Sequence, residues 1–258
     1  MKLGPYARSA PYYDFVYESI VDYEGECDLL EAIFQRYGER KVETVLDLGC
    51  GTGNHAMILS SRGYRVVGID RSEEFVRLAI EKSRTLKNAP SFLVGDMTRL
   101  DLRERFDALI CMFGGFGYIP RERLLDTMRG FAERLKEGGL LIFEFWNTGG
   151  VKPGHTSWFE REAEHLTLIR LSGSEFEPNS GVLEASMKYY VIRAGRLEEA
   201  FEELHRLTTY LRKDMRDTLR RAGLKPLAML DWDRKVLETP HRKTFRILAV
   251  AKLPGPRR

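Results

Sequence analysis

Cysteine is scarce in this sequence, with three residues in 258, at Cys27, Cys50 and Cys111. No two of them form a C-x-x-C pair, so the sequence supports neither a disulfide framework nor a cysteine-based zinc site. We therefore expect a cytoplasmic protein in a reducing compartment. Side-chain amides are also few, one glutamine and four asparagines against 31% charged residues, which suggests a heat-adapted source.

Long apolar runs are absent as well. None approaches the roughly 18–20 residues that a transmembrane helix needs, and the first residues lack the apolar core of a signal peptide. The net charge is only +3, from 41 basic and 38 acidic residues, and the five histidines have no metal-ligand spacing. With 43% apolar residues, the composition is that of a globular protein. We therefore predict no membrane segment and no metal site, and the low net charge does not by itself indicate nucleic-acid binding.

The first half of the chain alternates between two patterns. Short apolar runs typical of buried strands occur at residues 42–48, 65–69, 92–94, 106–113 and 140–145. Helical patterns separate them at 54–61, from Ser72 onward and at 120–136, where Gly138 and Gly139 end the last helix. Buried strands that alternate with helices predict an α/β fold with a mostly parallel sheet, doubly wound by helices on both faces.

The second half changes character after a glycine-rich loop at 148–154. Strand patterns at 166–171, 183–193 and 197–209 are separated by turn signals at Gly181 and Ala194-Gly195-Arg196, which predicts an inserted antiparallel β patch. A helix at 213–222 and strands at 228–231 and 245–252 return to the first pattern. We therefore assign residues 1–147 and 210–253 to the core domain, 148–209 to the insertion and 254–258 to a loose tail.

The most informative segment is VLDLGCGTGNH at residues 45–55, where a strand leads through three alternating glycines into a helix. Glycine is needed where the backbone turns sharply and a ligand approaches without a Cβ in the way. The G-x-G-x-G spacing of Gly49, Gly51 and Gly53 differs from the G-x-G-x-x-G dinucleotide fingerprint, and Asp47 stands two residues before it. No Gly-Lys-Ser/Thr follows, which excludes a phosphate-binding P-loop.

Two further features follow the next strands. Asp70 ends the second strand, where a carboxylate can accept hydrogen bonds from ribose hydroxyls. Asp96 and Met97 follow the third strand, where an acid can accept from an exocyclic amine while an apolar neighbour packs on a ring. Because the carboxyl ends of parallel strands meet at one edge of the sheet, we expect these side chains to converge there.

These motifs together resemble class I S-adenosylmethionine-dependent methyltransferases over residues 42–145. The resemblance implies a Rossmann-like, seven-stranded sheet with a reversed last strand and S-adenosyl-L-methionine as the cofactor. It implies that Gly49 and Gly51 pass close to the methionine part, that Asp70 holds the ribose, and that Asp96, Met97 and Arg71 surround the adenine.

A narrower resemblance, to glycine N-methyltransferase and aminosugar N,N-dimethyltransferases, is carried by the segments APYYD (10–14), CMFGGFGY (111–118) and EELHRLT (202–208). Those enzymes also carry an antiparallel insertion after strand five, and they imply a homodimer. The resemblance places Tyr13, Tyr23 and Met112 on the cofactor. A proton acceptor for an ammonium substrate would come from Tyr118, Glu144 or His205.

The sequence therefore predicts an enzyme that methylates a small molecule, with an amine nitrogen as acceptor. The alternatives are an RNA or protein methyltransferase, a protein that binds the cofactor without turnover, and a nicotinamide dehydrogenase. The glycine spacing argues against the dehydrogenase, and the missing Asn/Asp-Pro-Pro-Tyr/Phe step after strand four argues against base methylation. Tyr118, Glu144 and His205 each also have a structural interpretation, as packing residue, sheet-edge carboxylate and buried histidine.

Overall fold

The protein was analysed as a computed structural model that describes residues 5–255. The chain forms two compact units. We call Tyr23–Gly150 with Tyr210–Arg258 the core unit, and Met1–Asp22 with Val151–Thr209 the insert unit. No helix among the described residues is long and apolar enough to cross a membrane.

The described residues contain eleven strands, seven in the core unit and four in the insert unit. In chain order they are β1 (Thr44–Leu48), β2 (Arg65–Asp70), β3 (Ser91–Val94), β4 (Phe106–Cys111), β5 (Leu135–Trp146), β6 (Thr156–Ala163), β7 (Leu166–Glu177), β8 (Val182–Arg193), β9 (Arg196–Thr208), β10 (Lys225–Asp231) and β11 (Arg246–Lys252).

The same residues contain six α-helices and four short 3-10 turns. The helices are α1 (Tyr13–Tyr17), α2 (Tyr23–Tyr37), α3 (Asn54–Ser61), α4 (Glu73–Ser83), α5 (Leu124–Arg134) and α6 (Arg212–Arg221). The 3-10 turns are Ala10–Tyr12, Gly115–Tyr118, Arg121–Arg123 and Thr148–Gly150.

The core unit holds a seven-stranded sheet in the order β10-β11-β5-β4-β1-β2-β3. β1 pairs in parallel with β2 and β4, whereas β11 runs antiparallel to β5 and β10. The fold class and the reversed last strand predicted from the sequence are therefore confirmed. The chain runs outward from β1 through β2 to β3 and then crosses to β4. Ligands of open α/β sheets bind at such a switch point, outside the carboxyl ends of the strands.

Both faces of the large sheet are covered, because its strands carry apolar residues at successive positions. On one face, Leu46 belongs to a buried cluster with Phe131 of α5 and Leu219 of α6. On the other face, Val45 belongs to a cluster with Leu30 of α2 and Leu59 of α3. This two-layer burial fixes the positions of the strand ends that carry the polar motifs.

The insert unit is a four-stranded antiparallel sheet in the order β6-β7-β8-β9, with turns at Gly181 and at Ala194 and Gly195. Its apolar cluster includes Val16 of α1 together with Leu168, Tyr189 and Phe201 of the sheet. Residues 5–22 thus pack within this unit, whereas the sequence analysis placed them in the core. The segment has its own apolar residues, and their composition does not reveal which surface will cover them.

Three elements depart from the sequence prediction. The helix expected at 120–136 is a 3-10 turn followed by α5, and β5 already begins at Leu135. The strand β6 and the helix α2 were not predicted. A signal for α2 exists, since Cys27, Leu30, Ile33 and Phe34 follow helical spacing and are all buried.

Candidate functional site

Three glycines shape the loop between β1 and α3. Gly49, Gly51 and Gly53 have φ angles of +70°, +55° and +82°. A Cβ on Gly53 would lie 2.6 Å from the Phe92 ring, so this glycine is needed for packing. A Cβ on Gly51 would meet no atom within 4 Å, so its backbone faces open space. A ligand can therefore approach the main chain at Gly51.

Asp70, at the end of β2, ties this loop to the next strand. Its Oδ2 accepts a hydrogen bond from the Gly51 backbone N–H (2.9 Å), and its Oδ1 accepts from the Ser72 N–H (2.8 Å). Burial raises the pKa of Asp70, although both backbone hydrogen bonds counteract the rise. A carboxylate has about four acceptor positions, so Asp70 can hold the loop and still accept from a ligand.

Asp47, at the base of the loop, is 2% exposed. Its Oδ2 has no hydrogen-bond partner among residues 5–255. Burial raises the pKa of Asp47 to about 6; His55 counteracts the rise and Asp70 adds to it. No role was predicted for this residue from the sequence. Its place two residues before the first glycine was the available signal.

The segment after β3 reaches the same loop. Met97 Cε lies 3.0 Å from the position of a Cβ on Gly49, so the methionine packs on the loop backbone. Asp96 is exposed, and its Oδ1 accepts a hydrogen bond from the Thr98 N–H at 2.8 Å. The predicted convergence of the first three strand ends is thus present in the core unit.

The end of β4 adds a strained turn. Phe113 has a φ of +50°, a left-handed conformation that is uncommon for an aromatic residue, and Gly114 follows at +77°. Met112, just before this turn, is buried. Tyr118 is half-buried, and the Arg71 guanidinium lies 5.1 Å from the centre of its ring. The structure therefore brings together Arg71, which follows β2, and Tyr118, from the 3-10 turn after β4.

Two more predicted residues lie at this edge of the core unit. Tyr23 begins α2, and its ring is 5.0 Å from the His55 ring and 6.5 Å from the Phe113 ring. Glu144 is 1% exposed and forms a two-point ion pair with Arg246, at 2.9 and 2.7 Å. Because the guanidinium engages both of its oxygens, Glu144 is a weak candidate for a proton acceptor.

The remaining two predicted residues, Tyr13 and His205, belong to the insert unit. The ring of Tyr6, which the sequence analysis missed, lies 5.7 Å from the Tyr13 ring and 5.0 Å from the His205 ring. Glu203 is fully buried and accepts hydrogen bonds from the Ser9 N–H and hydroxyl. The two-residue period of β9 was the signal for Glu203, whereas a lone tyrosine at position 6 gave none.

Comparisons with known proteins agree with this geometry. A family profile described as a methyltransferase domain matches residues 45–139. The dTDP-3-amino-3,6-dideoxy-alpha-D-glucopyranose N,N-dimethyltransferase of Streptomyces fradiae is 31% identical over 219 residues, 83% of each chain. The chain belongs to the class I S-adenosylmethionine-dependent methyltransferases. The predicted enzyme class and cofactor are thereby confirmed for this methyltransferase.

Two other comparisons extend the likeness. The dTDP-3-amino-3,4,6-trideoxy-alpha-D-glucopyranose N,N-dimethyltransferase of Streptomyces venezuelae is 27% identical to the methyltransferase over 209 residues, 79% of this chain and 84% of the other. The crystal structure of a S-adenosylmethionine-dependent methyltransferase from Clostridium acetobutylicum superposes with a TM-score of 0.82 at 24% identity. It covers 97% of this chain and 99% of that one, so both units of the fold recur there.

The core unit of the methyltransferase fits S-adenosylmethionine. The open backbone at Gly51 leaves room for a ligand to cross the loop. Asp70 retains acceptor positions for sugar hydroxyls. The Oδ2 of Asp47, which has no partner in the described part of the chain, suits a cationic donor such as an ammonium group.

Proposed function

We propose that this methyltransferase transfers a methyl group to an amine nitrogen of a small molecule. The observation that carries the proposal is the match to the Streptomyces fradiae enzyme, whose name gives it an amino sugar as substrate and which aligns over 83% of each chain. Such an alignment extends well beyond residues 45–139, the part common to methyltransferase domains in general.

Within the core unit, we assign the cofactor contacts by chemistry. Gly49 and Gly51 would lie against the methionine part, and Asp47 would accept from its ammonium group. Asp70 would hold the ribose hydroxyls. These assignments rest on the open backbone of the loop and the free acceptor positions of the two carboxylates.

The adenine end would be held by the neighbouring strand ends. Asp96 would accept from the exocyclic amine, while Met97 and Met112 would pack on the ring. Arg71 would flank the ring edge beside Tyr118, over which its guanidinium already lies. Tyr13 is assigned to the cofactor on the resemblance alone.

The chemistry asks little of the protein beyond alignment. When bound, S-adenosylmethionine supplies an electrophilic methyl group on a positively charged sulfur. The protein has to hold an uncharged amine in line with that methyl group, which is catalysis by proximity and orientation. We assign to the positively charged sulfur the neighbouring rings of Tyr23, at the start of α2, and Phe113, after β4. Each ring can attract a cation by about 0.5–2 kcal/mol.

An amine that arrives as ammonium must first lose its proton. Among the residues proposed for this step, Glu144 has both carboxylate oxygens engaged by Arg246. Tyr118 and His205 are therefore the proposed acceptors, Tyr118 in the core unit and His205 in the insert unit.

The test is a methyl-transfer assay with the isotopically labelled cofactor. The acceptors are a dTDP-amino sugar, glycine and simple primary amines, each paired with its hydroxyl analogue, and transfer RNA serves as a further acceptor. We expect label only in amines, with S-adenosylhomocysteine released in equal amount. Label in the hydroxyl analogues or in RNA would refute the amine assignment, and cofactor binding without transfer to any acceptor would favour a binding protein.

A further inference from the structure

A row of charged side chains, each buried or half-buried, runs through the core unit. Glu26, on α2, is fully buried. Its Oε2 lies 2.9 Å from His55 Nε2, and its Oε1 lies 3.2 Å from Lys235 Nζ and 3.9 Å from Arg246 Nη2. Arg246 in turn holds Glu144. The row therefore connects α2, α3, β5 and β11 through side chains alone.

Folding stability by itself does not require such a row. Taking charges out of water is costly, and well-packed apolar residues in their place are often as stable or more stable. Burial by itself raises the pKa of Glu26, but the hydrogen bond and charge of His55, with Lys235 and Arg246, lower it overall. Glu26 is thus held as a carboxylate by three partners from separate parts of the core unit.

Two members of the row, His55 and Arg246, each contact an aromatic ring. The His55 ring meets the Tyr23 ring edge-on, with centres 5.0 Å apart, and the Arg246 guanidinium lies 5.9 Å from the centre of the Phe113 ring. The rings of Tyr23 and Phe113 are 6.5 Å apart. Phe113 holds the left-handed conformation described above, so its neighbours must keep it in place.

The row also touches the glycine loop. His55 is the second residue of α3, which begins directly after Gly53. Through Glu26, the start of α3 is fixed to the start of α2, which carries Tyr23.

We propose that Glu26 is a positioning residue for methyl transfer, acting through His55 and Arg246 to fix Tyr23 and Phe113 beside the glycine loop. The inference rests on the proposed function in one respect, because Tyr23 is assigned to the cofactor there. It adds that the placement of Tyr23 depends on a buried carboxylate with no direct ligand contact.

The test is a double-mutant cycle on cofactor binding, measured by calorimetry with S-adenosylmethionine and S-adenosylhomocysteine. Glu26→Gln keeps the shape of the side chain and removes its charge. We expect it to weaken binding about tenfold in the wild-type background and less than about twofold in a Tyr23→Ala background, since residues joined in one network couple to this extent. Equal losses in both backgrounds would overturn the proposal, because a general structural defect acts independently of Tyr23.

Two further variants make the test decisive. His55→Gln keeps an amide that can reach Glu26 but removes the ring that contacts Tyr23, so it should reproduce the loss of binding. If Glu26→Gln does not fold, His55→Gln takes its place in the double-mutant cycle with Tyr23→Ala. Glu24→Gln is the matched control, since Glu24 is an exposed carboxylate on the same helix, paired with Arg62. Unchanged affinity is expected for Glu24→Gln, and unchanged affinity for His55→Gln would overturn the proposal.

The readout needs no methyl acceptor. If transfer to amines fails while the cycle shows coupling, only the proposed acceptor is wrong. If amines are methylated and the cycle is additive, only the role of Glu26 is wrong.

Discussion

Replacing Asp47 with asparagine is expected to stabilise the methyltransferase and to weaken its cofactor binding. Asp47 is 2% exposed, and its Oδ2 has no hydrogen-bond partner among the described residues. At neutral pH the folded protein therefore keeps a buried, incompletely paired charge. Asparagine has nearly the same shape and carries no charge.

The pKa of Asp47 gives the magnitude. Burial raises it from an ordinary 3.8 to about 6, so the folded protein favours the protonated carboxyl. At pH 8 the charged form costs about 3 kcal/mol relative to the unfolded chain. Because a raised pKa makes stability fall as pH rises from about 4 to about 6, the cost is only about 1 kcal/mol at pH 4.5. Asp47→Asn removes this cost, and the two donors of its amide make these figures upper limits.

The assay is urea unfolding of the wild type and the variant at pH 4.5 and pH 8. We expect the stabilisation by Asp47→Asn to be larger at pH 8. Asp107→Asn is a control with the opposite expected effect on the free energy of unfolding. Hydrogen bonds from Lys136 and Thr44 lower the pKa of Asp107 overall despite its burial. That variant should be destabilised by nearly the same amount at both pH values, because both lie above the ordinary pKa of an aspartate, 3.8.

Calorimetry then separates stability from function. A hydrogen bond to a charged group contributes about 1.5–3 kcal/mol, so Asp47→Asn should lose about tenfold or more in affinity for S-adenosylmethionine. Wild-type affinity should also fall below about pH 6, where Asp47 becomes protonated. A variant that is less stable than the wild type at pH 8, or equally stabilised at both pH values, would refute the reasoning from burial.

Three further tests, the first with a matched control variant, concern the site. Gly51→Ala and Gly223→Ala both place a methyl group in open space at positive φ, and each should lower the free energy of unfolding in urea by about 1 kcal/mol. Only Gly51→Ala should lose affinity for the cofactor. Wild-type affinity of both variants in calorimetry would show that the cofactor does not approach the backbone at Gly51. Glu144→Gln breaks the buried pair with Arg246 and should cost about 3–5 kcal/mol in unfolding free energy; a loss below about 1 kcal/mol would mean that the pair is dispensable. Tyr118→Phe keeps the ring under Arg71 and should lower kcat about 100-fold with unchanged cofactor affinity; an unchanged kcat would remove its hydroxyl from the mechanism.

The cofactor half of the site was predictable because its signals are local. Gly51 has a positive φ and Asp70 ends a buried strand. Both features can be recognised from a few neighbouring residues in the sequence. Parallel strands bring their carboxyl ends to one edge in any such sheet, so the convergence with Met97 followed from the strand pattern.

The contacts between distant segments could not be predicted in this way. Glu144 carries the same sequence signal whether it is a free base or a paired carboxylate, and its partner Arg246 lies 102 residues away. The burial of Glu26 against His55 likewise depends on how α2 packs on α3.

The sequence by itself therefore determined the sheet, the glycine loop and the cofactor, because backbone conformation and hydrophobic periodicity are properties of neighbouring residues. The tertiary structure alone decided that residues 5–22 pack with the inserted sheet, that Asp47 keeps an oxygen with no hydrogen-bond partner among residues 5–255, and that Glu144 is paired with Arg246. The physical reason is that burial and charge pairing arise only when distant segments meet, and both change the chemistry of a side chain without changing its identity.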